Sequence, residues 1–597
     1  MGLFQKACET YDAHASLAGV AGVGKSPLLP ICHILQKAQI QITVDLDGGF
    51  VLAEEVDKDD AKTIIPATEA SASRTYGIAA HPLCDQVCYV STANTEKHED
   101  YIKELTGWVN SEYSHPKVEA VLKYVRKDTL FTDLERVGLI KKNDSGKIEK
   151  IAGTEYEKCM IRWKVLDSEP HDQSWMDTTL FESFQNYVMK RQNAADKEFC
   201  MIEGVIAANA TSHPKGIVSA QYGAKLISFN DNNGFTYRGR FDEANQAATI
   251  SYIASQKAHN ALQWVVANQG VIVGKEKKRT FVCWNPQGGT VPQPLNLFLD
   301  ETKPVVASTD YKKQLYQTIT GFKNELPEDA GVVIASFDAA TTGRLALTYY
   351  SELASSDFLD RIETWYNTCY WGSEKFGFKS PNIRNIAMCA FGTQHGQFLD
   401  LDDRVLREQV QRLLVCIIDG APIPFDIVKA LAQRASTPLA YDKGPRELIL
   451  ATACAVIRKH YNDKRQKEIW TVALDPQKKD VSYQYGRLLA VLEKVERDTY
   501  DKKESREPNA IRLQTVFTEQ PAYAARILHE RLNPYFEKLR PKDRAFYKKL
   551  IGEIMVSISE LNGENMHRLK DTYLMGYYLQ RAELYKTKLS EAEDKQT

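Results

Sequence analysis

Hydrophobic and polar positions divide the chain into two regimes. From Gln39 to Glu55 the run QITVDLDGGFVLAEE alternates polar and apolar residues and predicts two strands joined at Asp47-Gly48-Gly49. Further strands are predicted at 160–165 (MIRWKV) and at 225–230 (KLISFN), the latter running into the loop Asp231–Gly234. FVCWN reads as a strand ending near Trp284, and 331–350 as strand, turn, strand. Helices are predicted over 97–127 and 242–267, with an exposed polar loop at 57–80 and a charged turn at Lys141–Lys150.

After about residue 400 the period changes. The segments 402–418, 424–435, 445–461, 484–498, 520–540, 542–561 and 564–588 all repeat apolar positions at helical spacing. Pro422, Pro438, Pro476, Pro508 and Pro541 fall between them or at their edges, where helix breakers belong. The expected fold class is α+β. An N-terminal α+β domain is placed at 1–225, a second mixed part at 226–395, and an all-α bundle at 396–597.

Composition narrows the function. With 597 residues, 43% apolar and 26% charged, the chain can bury sizeable cores and is not a largely disordered protein. The 76 Lys+Arg against 78 Asp+Glu leave a net charge of −2, so contact with nucleic acid would run through local patches. Eleven cysteines without a framework read as core thiols in a reducing cytoplasm. The N-terminal run MGLFQKACETYDAH has an acid and no long apolar stretch, so no signal peptide is expected. No stretch reaches the roughly 18 apolar residues of a membrane span. A cytoplasmic location and no membrane partner are therefore expected.

Catalytic motifs fail on context. GVAGVGKS (Gly19–Ser26) matches the phosphate-cradling P-loop pattern, yet a polar helix-like segment precedes it and Pro27 and Pro30 follow it. A nucleotide hydrolase working through Lys25 is carried only as an alternative. VDLDGGF lacks the further carboxylates of a calcium loop, and the histidines form no HExxH or His/Cys cluster. No metal, cofactor or catalytic set is assigned, and the protein is expected not to be an enzyme.

Nucleic-acid chemistry has more material. SASRTYG places Ser73, Arg74 and Thr75 in a polar loop, and Arg and Ser/Thr can read base edges or phosphates. SFNDNNGFTYRGR combines Ser228, Asn230 and Asn232 with aromatic residues and with Arg238 and Arg240, a mixture suited to stacking and phosphate contact. Lys275, Lys277, Lys278 and Arg279 form a basic turn. In the helical third, Arg487, Lys494, Arg540, Lys542, Arg544 and Lys548 are candidates for a phosphate backbone.

YGRLLAVLEKVE (Tyr485–Glu496), TYLMGYYLQRAELY (Thr572–Tyr585) and DGAPIPFDIVKALAQRAS (Asp419–Ser436) resemble the helical signatures of the large subunit of the type I-C CRISPR Cascade complex. Ser73–Val90, Leu226–Asn230 and Phe281–Asn285 follow in that family's order, whereas Phe337–Tyr350 and 185–225 depart from its pattern. The resemblance implies a non-catalytic subunit that recognises a protospacer-adjacent motif in target double-stranded DNA, helps separate the strands and supports R-loop formation. On that reading Ser73, Arg74, Thr75, Ser228, Asn230 and Asn232 lie near the motif duplex, and Arg238, Arg240 and the 275–279 turn grip its backbone. The bundle cations face the displaced strand. Implied partners are CRISPR RNA, repeated backbone subunits, the guide-processing endoribonuclease subunit, small subunits like its own bundle and a recruited helicase–nuclease. An internal start near 470–485 would yield that small subunit. Guide pairing would carry sequence specificity while protein reads a short motif. A purely structural adaptor of the ribonucleoprotein remains the other reading.

Overall fold

The computed structural model describes residues 2–593 apart from 21–25, 75–76, 144–145, 167–170, 195, 219–222, 229–240, 276–277, 296–304, 306, 342, 374–376, 465–468 and 502–503. The chain forms an α+β fold in two compact units. The first comprises 1–272, 278–291 and 330–353, and the second 273–277, 292–329 and 354–597.

The first unit holds two cores. One is built on a three-stranded sheet in which Ile40–Asp45 pairs antiparallel with Phe50–Glu55 and parallel with Ile161–Leu166. Ile40, Ile42 and Val44 point into a core that includes Trp108, Trp163 and Tyr124. The opposite face of this strand is covered too. Gln41 is buried there and satisfied, donating to Glu54 at 2.6 Å and accepting from Arg162 at 3.0 Å. The predicted hairpin is present. Gly48 turns at φ +72, and a Cβ there would lie 2.7 Å from the Tyr124 amide nitrogen, so the turn needs glycine. Asp45 accepts the amides of Asp47 and Gly49, at 3.0 and 2.6 Å, which makes this carboxylate a turn brace.

The second core packs helices Leu3–Ala13 and Tyr252–Gln269 on a four-stranded sheet ordered Arg344–Ala354, Gly331–Thr341, Arg279–Trp284, Val271–Val273. The alanines at 254, 258 and 261 let the helix approach closely, and Ser251 caps it by accepting from the Ala254 amide. That cap sets the start at residue 252, ten residues later than the apolar period suggested.

Three local expectations are corrected. The stretch 57–80 is not an open loop: Lys62–Pro66 is a strand paired antiparallel with His33–Lys37, and Glu69–Ser73 is a helical turn. Thr63, Ile64 and Ile65 are buried, and β-branched side chains at that density favour a strand. The 225–230 strand is absent where the chain is described. Lys225 makes only isolated bridges, to Lys215 and Arg344. The predicted 97–127 helix is two, Thr95–Val109 and Pro116–Val125, with Pro116 opening the second.

The second unit is largely helical, and the helical segments predicted after residue 400 are present there, the 520–540 segment as two shorter helices and the 564–588 segment as a helix that starts only at Thr572. Three more helices precede residue 400: Ser308–Glu325, Ser355–Thr368 and Ile383–Phe391. Helix Val481–Arg497 is buried from Ser482 to Glu496 and packs along Thr572–Glu593. Asp480 caps it through the Tyr483 amide at 2.8 Å. Its charges are satisfied internally: Glu496 accepts from the Tyr500 hydroxyl and the Asn509 amide, both at 2.7 Å. Among the described residues no helix is long and apolar enough to cross a membrane.

Candidate nucleic-acid interface

The SASRTYG segment is positioned by a capping box. Thr68 and Ser71 exchange side-chain and backbone hydrogen bonds at the start of the Glu69–Ser73 turn. Arg74 follows at its end. Its guanidinium grips Asp85 with two hydrogen bonds of 2.9 and 2.8 Å, reaches the Ala79 carbonyl at 2.8 Å and lies 4.3 Å over the Tyr89 ring. Asp85 is fully buried and also accepts the amides of His81 and Gln86, both at 2.7 Å. The guanidinium is therefore engaged inside the fold, which corrects the picture of an arginine in an open polar loop. Ser73 meets the Ser212 hydroxyl at 2.6 Å. Thr75 lies outside the described residues.

Of the second set, Ser228 is half-buried, and Asn230, Asn232, Arg238 and Arg240 lie outside the described residues. In the basic turn, Lys275 belongs to the second unit, where its ammonium pairs with Asp400 at 3.2 Å and its amide donates to Asp403 at 2.7 Å. Lys278 and Arg279 belong to the first. Lys278 is half-buried, and Arg279 is buried in its strand against Asp338 at 2.7 Å. Lys277 lies outside the described residues. Arg279 is thus a sheet ion pair and not part of an exposed basic tip.

The bundle cations split by environment. Arg487 is buried, donating to Gln580 at 3.0 Å, Gln484 at 2.8 Å and the Pro476 carbonyl at 3.0 Å. Burial pushes its pKa down. Lys494 is buried too, bonded to Asp498 at 2.6 Å and 4.3 Å from the Tyr585 ring. Both expectations of a surface phosphate contact are corrected, because a polar face on an enclosed helix packs inward. Arg540, Lys542, Arg544 and Lys548 do cluster at the start of helix Pro541–Glu560. Lys542 and Lys548 are exposed, Arg540 pairs with Asp543 at 2.7 Å, and Arg544 reaches Glu537 at 3.2 Å.

The Gly19–Ser26 motif departs from a P-loop where it is described. Residues 26–32 run through a bridge and a turn into the strand His33–Lys37, so no helix starts after Ser26; residues 21–25, including Lys25, lie outside the described residues. All the cysteines are buried and free, as core thiols. Among the described residues no His/Cys/Asp/Glu group could hold a metal ion.

Two of the cavities among the described residues open in the first unit. The larger, about 850 Å³, is lined by apolar side chains such as Leu35, Met160 and Val266 and by polar ones that include Lys37, Lys62 and Lys158. The smaller, about 320 Å³, is polar and lies between Arg74, His81, Lys97 and Lys215. Of these four, sequence reasoning gave a binding role only to Arg74 and read His81 as a turn residue before Pro82. They come from separate segments, and nothing local marks Lys97 or Lys215.

The chain's class follows from a family model described as CRISPR-associated protein, which matches residues 8–585. The chain belongs to that family, Cas_Csd1, and the family implies a large subunit of a Cascade-like complex that works with CRISPR RNA and other Cas proteins. No curated protein matches the chain.

Proposed function

We propose that this chain is the non-catalytic large subunit of a type I-C complex in the cytoplasm. It recognises the protospacer-adjacent motif in target duplex DNA, promotes strand separation and R-loop formation, and supports recruitment of a helicase–nuclease. The observation that carries the reading is the family match over residues 8–585, which takes in both units. The near-balance of 76 basic and 78 acidic residues supports a subunit that touches DNA locally while backbone subunits hold the guide. Small subunits resembling the bundle would sit beside the displaced strand, where the exposed start of helix Pro541–Glu560 offers cations.

A second reading, a structural adaptor that docks subunits without touching DNA, draws support from one fact. Arg74, Arg279, Arg487 and Lys494 are all engaged within the chain. Binding of target duplexes with different flanking triplets, measured for the assembled complex with and without this chain, separates the two. The proposed function expects loss of affinity and of triplet preference when the chain is omitted. Unchanged binding and preference would overturn it.

A further inference from the structure

The small cavity of the first unit has an excess of cations that the fold does not neutralise. Three line it: Arg74, Lys97 and Lys215. Its neighbouring carboxylate, Asp85, is already saturated by Arg74 and by two backbone amides. Among the described residues the Lys97 ammonium meets the Cys88 thiol at 3.6 Å and the Tyr89 ring at 5.3 Å. Lys215 has no carboxylate within ion-pair distance among the described residues. The Tyr89 ring carries both Arg74 and Lys97, which brings two positive charges to one aromatic ring.

The rim also carries His81 and the neutral side chains of Gln36, Ser71 and Gln86. His81 lines the cavity, is 4% exposed, and its Nδ1 has no hydrogen-bond partner. Burial pushes the Lys215 ammonium down, and the Arg74 charge adds to the effect. Like charges gathered in a half-buried space cost free energy unless an anion joins them. Ammonium groups around a small polar space suit a compact oxyanion with several acceptor oxygens, and phosphate is the one that nucleic acids supply.

We propose that this cavity is a phosphate-binding site formed by Lys97 and Lys215, with Arg74 held in place by Asp85 as its fixed wall. Resting on the target-DNA reading above, the phosphate is one backbone phosphodiester of bound nucleic acid. Lys97 and Lys215 contact the anion, and Asp85 holds Arg74 through two hydrogen bonds without itself touching the anion.

The test uses the full chain, alone and in the assembled complex, as wild type, as K97Q/K215Q and as K97R/K215R. Two probes are read: the melting shift produced by inorganic phosphate, and the salt dependence of binding to a labelled target duplex. The wild type should be stabilised by phosphate, the glutamine variant should not, and the arginine variant should keep the response. The duplex slope should become shallower by about one in total when both lysines are removed, because they meet a single phosphate. A glutamine variant that melts like wild type without phosphate, yet keeps both the phosphate response and the salt slope, would overturn the site. So would a wild type that phosphate does not stabilise. Loss of the phosphate response with an unchanged slope would support the pocket and overturn its nucleic-acid source. Failure of the target-recognition reading has a different signature: omission of the whole chain leaves duplex binding intact while the phosphate response of the chain persists.

Discussion

Gly486 and Gly576 form a reciprocal close contact between helices Val481–Arg497 and Thr572–Glu593. A Cβ at Gly486 would lie 1.9 Å from the Tyr573 carbonyl oxygen, and one at Gly576 would lie 2.1 Å from the Tyr483 carbonyl oxygen. Each glycine thus faces the carbonyl three residues before the other, and backbone meets backbone at both points. Helix propensity alone favours alanine over glycine by about 1 kcal/mol. Here the overlap is with main chain, which cannot turn aside as a side chain can.

G486A and G576A should each destabilise the chain by roughly 2 kcal/mol or more after that propensity gain is counted. Denaturant midpoints check this. A midpoint at or above that of wild type would show that the helices separate without cost.

The Arg74–Asp85 pair should behave as structure before it behaves as recognition. Removing the guanidinium leaves the buried Asp85 with only two amides, and breaking such a pair costs about 3–5 kcal/mol. R74A should therefore lower the denaturation midpoint. R74K should recover little, since an ammonium cannot reproduce two parallel bonds to a carboxylate. An R74A chain as stable as wild type would show that the pair adds no net stability. Any loss of duplex binding would then belong to recognition.

The first unit should weaken between pH 6.5 and about 4. Burial pushes His33, His81 and His259 down to about 4, and His213, with His259 and Lys225 nearby, down to about 3. His33, His81 and His259 each have a ring nitrogen buried without a hydrogen-bond partner among the described residues. An unfolded imidazole takes its proton near 6.5, so below that pH only the unfolded chain binds these protons. The stabilisation is complete above about 6.5 and declines as pH falls towards the folded values, by on the order of 2–3 kcal/mol per histidine. Glu69 works the other way, because burial raises its carboxyl pKa and the folded state gains that proton first. Four histidines outweigh one carboxyl, so midpoints measured at pH 7, 6 and 5 should fall in that order. A flat series would sink the argument.

The hairpin at 40–55 was legible because its period of two and its Asp-Gly-Gly turn are local signals. The bundle was legible because helical spacing and prolines recur through it. Strand Lys62–Pro66 was not, since its partner His33–Lys37 lies outside the polar stretch that hides it. Arg74 looked free for a similar reason: what fills its fork stands eleven residues on, and no pattern says that Asp85 folds back. Arg487 and Lys494 looked exposed because a polar helix face usually meets water. Here it meets Gln580, Tyr585 and the Pro476 carbonyl. The cavity of Lys97 and Lys215 needed three segments to converge, and tertiary convergence leaves no local trace.

The bundle cations give the clearest separation of structure from binding. Arg487 is enclosed, so R487A removes hydrogen bonds to Gln580, Gln484 and the Pro476 carbonyl and leaves those acceptors buried. Charged hydrogen bonds of this kind are worth about 1.5–3 kcal/mol each, and the stranded acceptors add their own cost. R487A should lower stability by a few kcal/mol and leave the salt dependence of strand binding unchanged in whatever fraction stays folded. Lys542 and Lys548 are exposed near the start of helix Pro541–Glu560, so K542Q/K548Q should shift stability by no more than about 0.5 kcal/mol. If they meet the displaced strand, the same pair should flatten the salt slope for single-stranded DNA by about 0.7 per lysine. A slope unmoved by K542Q/K548Q would remove this helix start from the strand path, and a slope moved by R487A at full folding would put the enclosed helix back on it.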